Sequence, residues 1–325
     1  MSNSRYVVSL SPHIRYGRTI RGMILTTMIA LAPSVIWGVF TFGFNALLYV
    51  ALGVFGAVGM EFLLNKITRR PISIGDGHAA LVGLMVAMLV PAGVPWWVVF
   101  DGAVLAILIG KMPYGPLGGA PLSPALVGLL IMVVSCPNEF AKNVYPINAP
   151  ETRIEGVAPA ESPQTAVRID PSDAGDYRIS DLFLGRQVGP IGTVSPMLLL
   201  LGGLFLIWRR VSRWRGPAGF IAGMLLSGAV AHAVDPGLYP PVLFQLFTGI
   251  AMFGAFFLCT EWTSTPVTPW GLFLFGFMAG LLTIILRLSG LPYGRVPFAI
   301  MIMSLATPLF DRITPTPFGK VVRHA

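Results

Sequence analysis

Residues 260 to 271 read Thr-Glu-Trp-Thr-Ser-Thr-Pro-Val-Thr-Pro-Trp-Gly and separate two apolar runs, Phe244 to Cys259 and Leu272 to Leu286. Their chemistry is hydrogen bonding. Each hydroxyl of Thr260, Thr263, Ser264 and Thr265 donates once and accepts twice. A chain that leaves the helix in lipid must satisfy its freed backbone groups with protein or with water in a cavity. A polar, twice Pro-marked break beside an apolar span is therefore a candidate site for a neutral, hydrogen-bonding ligand. Two plainer uses compete: a connecting loop that meets a partner, and a cap in which Thr263 or Ser264 satisfies helix-end groups. Glu261 stands close to the membrane edge, so a snorkelling charge is a competing reading for it.

Other reactive groups are few. Asp101 lies within the apolar run Trp96 to Gly110, and a carboxylate inside a membrane segment is a candidate for a proton or Na⁺ step. Asp76, in Gly75-Asp76-Gly77, opens an apolar run; an Asp there reads first as a helix N-cap and second as an ion or cofactor contact. Ser123-Pro124 opens another run. Cys136 and Cys259 belong to no CxxC or Cys/His cluster, so they read as small buried side chains rather than metal ligands.

The elements that must hold these groups are membrane helices. The chain has 325 residues, is 54% hydrophobic and only 11% charged, against roughly 25% charge for a soluble domain. The net charge of +8 points to lipid topology rather than nucleic acid, because the basic residues flank apolar spans. The first run, after Arg15, Arg18 and Arg21, is too long for a signal-peptide core and is kept as a membrane helix. A window of about 19 residues gives ten spans: 22–43, 45–64, 77–92, 94–110, 119–136, 194–208, 216–233, 241–259, 270–287 and 295–310. With the N-terminus in the cytoplasm, fifteen of the 22 Lys and Arg residues fall on the cytoplasmic side. The positive-inside rule then places both termini there.

Residues 137–193 form one long hydrophilic loop on the outer, periplasmic side, with eight acidic and five basic residues. It divides the chain into two membrane halves of five spans, 1–136 and 194–325. Five spans per half means that the second runs inverted relative to the first. The expected fold is an all-α integral membrane protein of ten transmembrane helices in two inverted five-helix repeats.

Several motifs, taken in order, carry a family resemblance: Ser11-Pro12-His13, Gly75-Asp76-Gly77 leading into Ala79-Ala80-Leu81-Val82-Gly83, Pro95-Trp96-Trp97, Ile109-Gly110-Lys111, and Ser123-Pro124-Ala125-Leu126-Val127-Gly128. Gly254-Ala255-Phe256-Phe257 and Thr260 to Gly271 continue it. In order and spacing the chain resembles the RnfD/NqrB family, and its length favours the RnfD branch. The resemblance implies a flavin-carrying subunit of an Rnf-type complex in the bacterial inner membrane, where electron flow between ferredoxin and NAD drives Na⁺ or H⁺ movement. It implies FMN joined by a phosphoester to a loop Thr, here Thr165. The usual Ser-Gly-Ala-Thr context is replaced by Ser162-Pro163-Gln164-Thr165, and Pro159 stands where an Asp is expected. It also implies a non-covalent flavin, riboflavin, near Ser123, where relatives often have Asn, and the 260–265 hydroxyls.

No Gly-rich dinucleotide loop and no cluster-type cysteine set is present, so iron–sulfur, further FMN and NADH sites are expected on partner subunits. The alternative is a secondary transporter without a redox centre, whose broken helices bind a small solute.

Overall fold

The computed structural model describes residues 19–69, 73–115, 118–140, 163–164, 178–236, 239–289 and 293–313. Among these the structure is helical, with one isolated bridge between Pro91 and Pro190 and no strand. The first half contains α1 (Ile20–Phe42), α2 (Phe44–Ile67), α3 (His78–Leu89), α4 (Trp96–Leu108) and α5 (Pro124–Ser135). Two short helices follow, α6 (Pro137–Phe140) and α7 (Ile179–Leu184). The second half contains α8 (Pro196–Trp208), α9 (Arg215–Val234), α10 (Val242–Phe247), α11 (Ala251–Phe253), α12 (Pro269–Leu288), α13 (Arg295–Leu305) and α14 (Thr307–Ile313).

Among the described residues, five helical stretches are long and apolar enough to cross a membrane: Ile20–Phe42, Phe44–Ile67, Trp96–Tyr114, Arg215–Val234 and Pro269–Leu288. A sixth candidate is α13 with α14, bent by 58°. Helices α3, α5 and α8 are apolar but shorter. Large apolar side chains face outward, with Phe44 and Trp208 each 76% exposed. Such a surface suits lipid and not water. The chain is a multi-pass membrane protein.

Sequence accounts for the local turns. Gly43, at φ +73°, separates α1 from α2 by one residue, a conformation that costs Gly little. The N-cap of α3 is Gly77 rather than Asp76; Asp76, one residue earlier, satisfies the first helix donor instead, its Oδ1 accepting the His78 backbone N–H at 2.7 Å. Ser123 Oγ accepts from Leu126 N at 3.5 Å, a long cap on α5.

Helix pairs close on glycine. A Cβ on Gly219 or Gly223 of α9 would collide with the carbonyls of Phe273 and Phe277 on α12. One on Gly276 or Gly280 of α12 would collide with those of Gly216 and Phe220 on α9. Lipid offers no hydrophobic drive between helices, so this close backbone approach is what holds the pair. Across the halves, α1 packs on α8, and α5 packs on α13.

The third apolar segment is interrupted in both halves. After α3 the chain leaves the helix through Val90 to Pro95, and the freed carbonyls are satisfied. Tyr49 Oη donates to Val94 O and, at 3.3 Å, to Ala92 O. Tyr293 Oη donates to Leu89 O. Ile191 N reaches Val90 O at 3.2 Å and Gly192 N reaches Met88 O at 2.9 Å. In the second half, α11 runs into a π-helical turn over Gly254–Leu258, and the chain then breaks at 260–268. This second break is not sealed.

Candidate functional site

The second break opens on a cleft. Its apolar walls include Leu81, Val82 and Met85 of α3, Leu206 of α8 and Phe257 of the π-helical turn. Its polar lining is Thr27, His78, Ser212, Thr260, Glu261 and Thr263. The π-helical turn closes with Cys259 N donating to Gly254 O at 2.8 Å, a geometry often found at functional sites.

The predicted hydroxyls divide into two kinds. Thr260 Oγ1 donates to Phe256 O at 2.6 Å, and Thr265 Oγ1 donates to Glu261 O at 2.7 Å. Both serve their own backbone. Thr263 Oγ1 and Ser264 Oγ are buried with no hydrogen-bond partner. Thr260 and Thr263 line the cleft, whereas Ser264 and Thr265 lie outside its lining. Ser264 instead offers its carbonyl to Thr307 Oγ1 of α14 at 3.0 Å.

Glu261 is the residue whose role the sequence left open. It is half-buried as a residue, yet its Oε2 is sealed and unpartnered. Burial in the break, outside the spanning helices, pushes its carboxyl up to about 7, against lowering contributions from the Ser123 and Thr263 hydroxyls. Thr263 faces the carboxylate without reaching bonding geometry, so its oxygen stays orphaned. Ser123 and the 260–265 segment, both predicted site elements, are thus brought together at one carboxylate.

Behind the cleft lies a buried charge network that spacing did not reveal. Lys111 Nζ meets Glu61 Oε1 at 2.6 Å, with both side chains buried. Ser73 Oγ donates to the same oxygen at 2.6 Å, and Asn65 Nδ2 donates to Ser73 Oγ at 3.1 Å. Lys111, one of the basic residues counted on the cytoplasmic side, is 6% exposed. His78 stands between this pair and the cleft, and its Nδ1 is buried without a partner.

A clamp fixes the far end of the break. Asp311 Oδ1 accepts Val267 N at 2.9 Å, Thr268 N at 3.0 Å and Thr268 Oγ1 at 3.1 Å. These are the helix-entry donors of α12, so the cap comes from another helix. Arg213, between α8 and α9, donates to Val267 O.

The remaining predictions fall elsewhere. Asp101 is exposed on α4 and is not part of the cleft. Asp76 acts by accepting from His78 N. Thr165 lies outside the described residues. Gln164, which precedes it, donates from Nε2 to Thr248 O at 2.9 Å and to Thr248 Oγ1 at 3.1 Å, and accepts from Arg295 Nη1 at 3.0 Å. Arg287 joins this cluster, donating to Gln245 Oε1 at 3.1 Å, to Thr248 O at 3.2 Å and to Gln245 O.

A phosphate-free flavin ring fits the cleft's donor set. Its apolar walls suit the faces of a flat heteroaromatic. Four buried unpartnered atoms, Glu261 Oε2, Thr263 Oγ1, Ser212 Oγ and His78 Nδ1, could meet a polar edge. Among the described residues no Lys or Arg lines the cleft, so a phosphate there would meet a carboxylate and no cation.

Fold and site together define a multi-pass helical membrane protein with a polar cleft at a helix break. The chain belongs to the NQR2, RnfD, RnfE family, whose model matches residues 7–319. It is 33% identical over 321 residues to the D-type subunit of the proton-translocating ferredoxin:NAD(+) oxidoreductase complex of Clostridium ljungdahlii, covering 97% of this chain and 96% of that one. It is 32% identical over 318 residues to the D-type subunit of the Na(+)-translocating ferredoxin:NAD(+) oxidoreductase complex of Acetobacterium woodii, covering 97% and 95%. The corresponding subunit of the ion-translocating oxidoreductase complex of Mannheimia succiniciproducens is 28% identical over 342 residues, covering 95% and 96%.

Proposed function

We propose that this chain is the D-type membrane subunit of an Rnf-type complex that couples electron transfer between ferredoxin and NAD to ion movement. In this reading it holds a phosphate-free flavin, riboflavin, in the cleft at the second break. The observation that carries the reading is the asymmetry of the two breaks. Tyr49, Tyr293 and the Ile191–Gly192 backbone satisfy the first. The second keeps buried, unpartnered polar atoms around a cleft, and such atoms are costly unless a partner completes them. A flavin bound there would supply one- and two-electron transfer. The chain's own part would be to orient the ring, to tune it through Glu261, Thr263, Ser212 and His78, and to limit water.

The contacts of α1 with α8 and of α5 with α13 favour two inverted five-span halves, in which each outer span meets its counterpart. The charge distribution favours both termini and the cleft on the cytoplasmic side of a bacterial inner membrane, with the 137–193 loop periplasmic. A second flavin, FMN esterified to Thr165, would then stand on the opposite side. Iron–sulfur and NADH sites are assigned to partner subunits. The oxidoreductase names of the relatives favour this reading over a solute carrier without a redox centre. Relatives of nearly equal identity belong to a proton-translocating and a Na(+)-translocating complex, so overall similarity does not select the ion.

The test is the flavin content of the purified complex. Acid extraction should release one phosphate-free flavin for each copy of this subunit. In-gel fluorescence of the denatured subunit should reveal covalent FMN, abolished by Thr165→Ala. A complex without extractable phosphate-free flavin would remove the cleft assignment. A dark band in the unaltered protein would remove the covalent one.

A further inference from the structure

We propose that Glu261 is the protonation-linked group of the cleft, giving a proton to the occupant on reduction and taking it back on reoxidation. This rests on the flavin reading above. The geometry singles Glu261 out among the groups around the cleft. Its Oε2 is buried and unpartnered. The side chain lines the cleft beside Thr263, with the Ser123 hydroxyl from α5 against the carboxylate. Among the described residues no Lys or Arg lines the same space to hold the carboxylate charged.

Most of the charged and titratable groups that face it from the surrounding elements are otherwise engaged. The exception is His78 of α3, whose Nδ1 is buried and unpartnered beside the Lys111–Glu61 pair. Lys111, beyond α4, is paired with Glu61 of α2 at 2.6 Å. Asp76 is bound to the backbone of α3. From the connection between α8 and α9, Arg213 is turned to Val267 O. From α14, Asp311 is held by Val267 and Thr268. Thr27 of α1 and Ser212 carry no charge. Glu261 is left as the carboxyl able to change state in contact with the occupant. Its raised value of about 7 keeps both forms accessible near neutrality, as an acid–base group requires.

The step balances. Electrons arrive from a reduced iron–sulfur or flavin donor on a partner subunit. The Glu261 O–H bond breaks and an N–H bond forms on the ring that has taken up the electrons. The carboxylate is compensated by the Ser123 and Thr263 hydroxyls; when the electrons pass to an oxidised flavin or iron–sulfur acceptor on a partner subunit, the N–H bond breaks and the proton returns to the carboxylate. The coupling is local: added negative charge on the ring favours release of the proton towards it.

The experiment is a redox titration of the purified complex between about pH 5.5 and 8.5. It follows the extractable flavin, isolated by difference from complex depleted of it. In the unaltered protein the midpoint potential should change slope against pH near 7. Glu261→Gln, with flavin retained, should lose that inflection, and Glu261→Asp should shift it. If Glu261→Gln loses the flavin, Glu261→Asp decides: a shifted inflection supports the proposal and an unmoved one overturns it. An inflection that persists unchanged in flavin-loaded Glu261→Gln overturns the role of Glu261 and leaves the flavin reading intact. An absence of phosphate-free flavin from the unaltered complex overturns that reading and the proposal together.

Discussion

Ser123 serves two structural tasks with one hydroxyl. It caps α5 by accepting Leu126 N, at a long 3.5 Å, and it lowers the energy of the Glu261 carboxylate. The two tasks separate by substitution. Ser123→Ala removes the cap, worth about 0.5–2 kcal/mol in ordinary helices, with the low end expected for so long a bond. It also removes a contact that favours the charged carboxylate, so the inflection assigned to Glu261 should move to higher pH. Ser123→Asn keeps an acceptor for the cap and should preserve thermal stability. Melting curves and redox titrations of the two variants check these outcomes.

Glu261 also makes a stability statement whose sign can be worked out. Its folded value, about 7, lies above the ordinary value of 4.5. Between those values the folded state keeps a proton that the unfolded state has released. Stability contributed by this group is therefore fully present below the unfolded value and is lost as pH rises through the folded one. The cost at pH 8 is at most about 3 kcal/mol. Glu261→Gln should raise the melting temperature of the complex at pH 8 and leave it nearly unchanged at pH 4.5. An equal shift at both values would show that the substitution acts through packing rather than charge.

At the scale of elements, the α9–α12 pair and the capped start of α12 position the break. Gly219→Val should force carbonyl and side chain apart and destabilise the pair by about 1–3 kcal/mol, the usual cost of overpacking. Gly59, with nothing near its Cβ position, should accept Ala with little loss. Asp311→Ala should leave the Val267 and Thr268 donors without their cap and lower flavin retention in the cleft, whereas Asp311→Asn keeps an acceptor and should retain more. Melting curves check the glycine variants, and extracted flavin per subunit checks the Asp311 pair.

The elements were legible to different degrees, for physical reasons. The 260–271 break stands out because composition switches abruptly from apolar to hydroxyl-rich. The Asp76 contact with the start of α3 is legible, though not as the N-cap, because its partner is two residues away. Glu261 was not legible as a site residue, because its meaning depends on Ser123 of the other half. The Glu61–Lys111 pair hid for the same reason: each residue alone reads as the charged end of a span. Among the hydroxyls, residue type could not tell Thr260 and Thr265, which bond back to the preceding turn, from Thr263, which is left for a partner.

At the scale of the whole molecule, polar groups gather in two separate clusters. One contains Glu61, Lys111, His78, Ser123 and Glu261, around the starts of α3 and α5 and the break before α12. The other contains Gln164, Gln245, Thr248, Arg287 and Arg295, around the end of α12 and the start of α13. Helix α12 has its start beside the first and its end beside the second. It is long enough to cross a membrane, so the clusters should lie towards opposite faces. With Cys136 and Cys259 replaced by Ala, single cysteines at Lys66 and Arg186 report the two faces. A membrane-impermeant maleimide added to intact spheroplasts should label Arg186→Cys and spare Lys66→Cys until the membrane is permeabilised. Labelling of both before permeabilisation would defeat the inverted arrangement, because Lys66 ends α2 on the side assigned to the cytoplasm. Labelling of Lys66→Cys alone would reverse the orientation, keeping the two halves inverted but moving the Glu261 cleft to the periplasmic face.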